Sequence, residues 1–223
     1  MGAIKRAFAN NITTSGNLSS LDAAKLIGTL PAISGANLTG ISQDWIKLAE
    51  TNVTTSTASV EFTDATTGVF DGTYRTNVIL CRRLVPATAN VGLKLEMRDA
   101  SDTNYETSSY AYATRGIDSS GNERTDYATS GSYCRLLGGG DGMGDGSHAY
   151  GTSCVIFCND FFDNGQPPSY YGNGVYSKQS GYTCSNHFAG TYRDTSIQMD
   201  GVRLSFHSGN ITQGNFIIYG VGE

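Results

Sequence analysis

The chain has 223 residues, 28 of them glycine and 13 tyrosine, with only 16% charged residues and a formal net charge of −5. That length suits one full β-domain with a short arm, and abundant Tyr, Thr, Ser and Gly with few prolines favour strands separated by many turns. An acidic balance without clustered Lys and Arg argues against a nucleic-acid surface, and no apolar run approaches the roughly 18 residues that cross a bilayer.

Residues 1–44 form a distinct first segment. Its start, MGAIKRAFANN, runs into polar residues rather than a signal-peptide core, so synthesis in a cytoplasm without a secretion signal is the expectation. Within SSLDAAKLIG, Ser19 followed by Asp22 has the spacing of a capping box, and Gly28 stands where a helix would stop; one short helix is predicted there. The following stretch, GTLPAISGANLTGI, carries too little apolar surface to fold alone. Leu26, Leu30, Ile33, Leu38 and Ile41 are nevertheless regularly spaced, which predicts burial against other copies or a larger assembly.

From Trp45 the pattern changes to short runs of strand character between turn clusters. Ten runs are predicted as strands: WIKLAETNV, ASVEFTD, YRTNVILCRRLV, VGLKLEMRD, SSYAYATRG, GSYCRLLG, TSCVIFCND, GYTCSNHF, GVRLSFHS and GNFIIYGV. Alternation is plain where Val91, Leu93, Leu95 and Met97 share one face against Lys94 and Glu96, and where Val202, Leu204 and Phe206 oppose Arg203, Ser205 and His207. Strands with one dry and one wet face belong to antiparallel sheets, so residues 45–223 are expected to form an all-β sandwich of about 8–10 strands.

Several constellations bear on chemistry. Cys154, Cys158, Cys184 and His187 have zinc-like spacing, but residues four apart on a strand are separated by roughly 13 Å, so TSCVIFCND cannot converge on one ion as a strand. The five cysteines are expected to be free and buried. In GGGDGMGDGS, Asp141 and Asp145 form a weak calcium candidate; the run lacks the closing Glu of an EF-hand loop, and no Gly-Lys-Ser/Thr follows to cradle phosphate. Asp160 and Asp163 could supply paired carboxylates for glycan cleavage, whereas no nucleophile signature surrounds His148, His187 or His207. His207, on the wet side of its strand, is expected to be solvated or capping. Neither cofactor nor enzymatic activity is expected. The aromatic, glycine-rich QPPSYYGNGVY fits an adaptable recognition loop, with Tyr170, Tyr171 and Tyr176 as receptor-binding candidates; lining the sandwich is the competing role for these rings.

Three phrases carry a resemblance. YRTNVILCRRLVPATANVGLKLEMRDASDTNYETSSYAYATRG and DGVRLSFHSGNITQGNFIIYGV resemble the first and last strands of a jelly-roll-like domain in tailed-bacteriophage virion structural and tail-fibre proteins. LIGTLPAISGANLTGI is similar to the low-complexity stretches that precede such domains in phage fibres. The resemblance implies a jelly-roll-like sandwich in a homotrimeric virion protein, attached to other virion proteins through residues 1–44 and facing outward, and the tyrosine-rich stretch suits a host surface glycan or protein as partner. A tail fibre acting by multivalent adhesion is the first expectation. A capsid decoration or head-fibre protein is the alternative, and a glycan-degrading tailspike a more distant one.

Overall fold

Among the described residues the chain forms twelve strands, and each run predicted from the sequence coincides with one of them. They are β1 (Trp45–Val53), β2 (Ser59–Thr63), β3 (Thr76–Pro86), β4 (Leu93–Asp99), β5 (Tyr110–Asp118), β6 (Glu123–Gly131), β7 (Cys134–Leu137), β8 (Thr152–Asn159), β9 (Ser169–Ser177), β10 (Thr183–Tyr192), β11 (Met199–Phe206) and β12 (Ile211–Val221). The structure is a computed structural model and describes residues 44–138, 142–145, 152–163 and 165–222. The expected helix near residues 19–28, the assembly positions Leu26, Leu30, Ile33, Leu38 and Ile41, and Asp141 and His148 lie outside the described residues. No helix occurs among those described.

The strands form two antiparallel sheets. The larger has the order β1-β12-β3-β8-β9-β10-β5-β6, and the smaller β2-β11-β4-β7. Leu93, Leu95, Met97, Val202 and Leu204 from the small sheet are fully buried, as are Ile79, Ile156, Phe216 and Ile218 from the large one, all in a single apolar cluster. Burying each such side chain contributes about 1.5–3 kcal/mol before entropy is counted, so this shared interior is what keeps the sheets together. β3 is apolar on both faces because it sits inside the large sheet with the core beneath it and aromatic neighbours above.

Two strands were not foreseen. β6, with sequence ERTDYATSG, has almost no apolar residues to mark it, and it lies at the sheet edge with only β5 as neighbour. β9 occupies the stretch read as a recognition loop. Its Gly172 looks like a turn residue, yet it lies in register between Ile156 and Phe188. A Cβ there would stand 2.0 Å from the Val155 carbonyl oxygen and 2.8 Å from the Phe188 ring. Glycine is used here because neighbouring groups already fill the space a side chain would need.

Candidate functional site

Residues directly opposite one another in an antiparallel pair share a face, so register alone defines files of side chains running across the large sheet. On its outer face Tyr219 of β12 opposes Val78 of β3, which opposes Phe157 of β8, which opposes Tyr171 of β9. Beyond Tyr171 the file continues through Ala189 of β10 and Ala113 of β5 to Tyr127 of β6. Phe157 and Tyr171 stack with ring centroids 4.9 Å apart and an 8° interplanar angle. Trp45 closes the near end, 5.9 Å from the Tyr219 ring and 6.4 Å from Phe157.

The next outward file is polar over its far half. Asn173 of β9 opposes His187 of β10, which opposes Arg115 of β5, which opposes Thr125 of β6. Arg115 is ion-paired with Glu123, while the side chains of Asn173, His187 and Thr125 make no hydrogen bond among the described residues. Beside Asn173 and His187 lies a shallow groove of about 530 Å³, lined also by Leu80, Arg82, Val155 and Val175.

The two hairpins that carry this surface are pinned at their tips by Asp118. Its carboxylate accepts from the hydroxyl of Ser120 at 2.6 Å and from the backbone N–H groups of Ser120 and Asn122 at 3.0 Å, and pairs with Arg124 at 2.8 Å and Lys178 at 3.3 Å. Ser120 and then Arg124 hold this carboxyl far below the usual range, so it stays charged at any physiological pH. Lys178 follows β9 directly, so the contact ties the tip of β9–β10 to that of β5–β6.

The structure separates the three tyrosine candidates. Tyr171 lies on the outer face and is 49% exposed, whereas Tyr170 and Tyr176 point inward and are 1% exposed. Alternation along a strand makes this unavoidable: neighbours in sequence face opposite ways, and Tyr170 packs beside Phe188 and within the core. Tyr170 and Tyr176 are therefore core residues here, a correction to the loop reading. Tyr127 is 77% exposed and carries no signal in the sequence, because its immediate neighbours are not aromatic.

The remaining candidates do not converge. All five cysteines are free and buried, and burial pushes the thiols of Cys81, Cys134, Cys158 and Cys184 up, which keeps them protonated near neutral pH. Cys154 and Cys158 share the inner face of β8, while Cys184 and His187 face opposite sides of β10. Of the calcium candidates, only Asp145 is described; no group of three or more metal-ligating side chains occurs among the described residues. Asp160 and Asp163 both turn toward Arg75, at 3.8 and 3.3 Å, in a pocket of about 220 Å³ with Tyr74, Phe161 and Phe162. His207 accepts the Gly92 N–H on Nδ1 at 2.8 Å and acts as a cap.

No protein-family model matches the chain, and no curated protein or solved structure matches it.

Proposed function

We propose that the protein is a non-enzymatic structural component of a tailed-phage virion, a homotrimeric tail-fibre protein whose jelly-roll-like sandwich contacts the host surface. The sequence phrases at both chain ends support the virion setting, and strand order supports the jelly roll. With the hairpins β5–β6 and β9–β10 set aside, the remaining eight strands pair first with eighth, second with seventh, third with sixth and fourth with fifth. That is one long antiparallel ribbon rolled up so that alternate pairs fall in opposite sheets, the jelly-roll arrangement. The two hairpins then extend one sheet by four strands.

The observation that carries host contact is the exposed outer face of that extension, where Tyr171 and Tyr127 stand free of any covering element among the described residues. Exposed aromatic groups aligned with further apolar residues in one file make a contiguous patch of the kind that marks interaction sites. Residues 1–44 serve as the attachment and trimerisation segment, and three copies of a weak site reinforce one another through effective concentration.

Electron cryomicroscopy of intact particles tests the setting: density for this chain in the tail is the expected result, and density on the capsid shell would replace the fibre reading with a decoration role. Native mass measurement of the full chain should give three copies, and a monomer at micromolar concentration would remove the trimer.

A further inference from the structure

The four added strands carry two contrasting files side by side. Tyr171, Ala189, Ala113 and Tyr127 form an apolar file with a ring at each end and methyl groups between them. Neighbouring strands are spaced by about 4.8 Å, so the two rings stand about 14 Å apart with a low floor between. The parallel file beginning at Asn173 and His187 offers unspent hydrogen-bonding groups two residues further along the same strands.

We infer that this strip binds a neutral saccharide chain laid across β9, β10, β5 and β6. The inference rests on the host-contact reading and supplies its ligand class. A pyranose ring has an apolar C–H face and an equatorial rim of hydroxyls. The first needs an exposed aromatic face, and the second needs groups that both donate and accept, which amide, imidazole and hydroxyl side chains do. Charge points the same way over these four strands: Arg115 is paired with Glu123, no other charged side chain stands in either file, and the nearest further charge, Arg82 in the adjoining groove, belongs to β3, so the strip itself carries no net charge with which to select an ion. A flat protein partner would meet the alanine floor with a gap between the tyrosines, whereas an extended sugar chain fills it. The position fits as well. Every residue of the strip lies on the inserted hairpins, which Asp118 locks together at their tips, so the eight-stranded scaffold is left unaltered.

The test uses the full chain on an immobilised array of short neutral glucan, galactan and N-acetylglucosamine oligomers, beside sialylated and sulfated ones. Binding to at least one neutral class is expected, with Tyr127→Ala and His187→Ala each weakening it about tenfold and Ala189→Arg abolishing it by filling the floor. Tyr127 and Ala189 are exposed, so circular dichroism should report unchanged strands. Absence of binding to every neutral class, or binding to charged glycans alone, overturns the inference and leaves the virion reading to be judged by particle location. A change in oligomeric state in Tyr127→Ala, with no saccharide bound by the parent, would make this face a contact between copies and overturn it equally.

Discussion

At the scale of single residues, backbone proximity and burial decide what each side chain does. Gly172 is held by its neighbours: an added Cβ at 2.0 Å from a backbone oxygen cannot be relieved by a rotamer change, so Gly172→Ala must displace β8 or β9. A loss of about 1–3 kcal/mol is expected in urea unfolding, the usual cost of overpacking. His207 gives a pH signature. Its imidazole sits below its ordinary value of 6.5, first because burial disfavours the cation and then because Arg135 lies nearby, with Lys94 adding to this. The unfolded chain therefore binds this proton more readily than the folded one. The stabilising effect of His207 is complete above about pH 6.5 and is lost as pH falls through the depressed folded value. The stability difference between the parent and His207→Ala should shrink between pH 7.5 and 5, and a difference independent of pH would show that the Nδ1 contact does not titrate.

At the scale of elements, the hairpins share the β5–β10 ladder, and at their tips one buried carboxylate adds a charged anchor. Asp118→Asn keeps the shape but removes the charge that Arg124 and Lys178 both face. Amides at the tips of β5–β6 and β9–β10 should then exchange faster with solvent, while those of β3 and β12 stay protected. Because the Asp118 pKa is depressed on folding, its contribution persists above the unfolded carboxylate range and disappears only in strong acid. Uniform exchange across all strands in the variant would mean that the tips are not an independent unit. These hairpins are also where the sequence was least legible. The predicted runs were marked by β-branched, aromatic and other apolar residues set against polar ones between turn clusters, most plainly in β4 and β11. β6 sets half-buried polar side chains such as Arg124 and Asp126 against charged partners, and β9 carries glycines where neighbouring groups occupy the space. Both departures from the simple apolar pattern come from what lies across the sheet, which register reveals and composition does not. Tyr171 could be found by its aromatic run, but its union with Tyr127 needed four strand pairings.

At the scale of the whole molecule, the two outer faces are built for different ends. The small sheet covers its outer surface with ion pairs that satisfy one another: Arg203 meets Glu96 at 3.0 Å and lies 4.2 Å from the Tyr105 ring, Lys94 meets Glu96 at 3.1 Å, and Arg98 bridges Asp200 and Asp64. The large sheet instead leaves aromatic rings and unspent polar groups exposed over its added strands. Stability and binding should therefore separate by face. Arg203→Ala removes a cation–π contact and leaves Glu96, only 6% exposed at its side chain, with Lys94 alone, so a loss of about 1–3 kcal/mol is expected with saccharide binding unaltered. Tyr127→Ala should do the reverse, shifting unfolding by less than about 0.5 kcal/mol, as exposed positions generally do, while binding falls. Denaturant midpoints and array binding measured on both variants decide the matter. If Arg203→Ala weakened binding as strongly as Tyr127→Ala, the two faces would be coupled through the core, and the added hairpins would not be a separable functional graft on the eight-stranded scaffold.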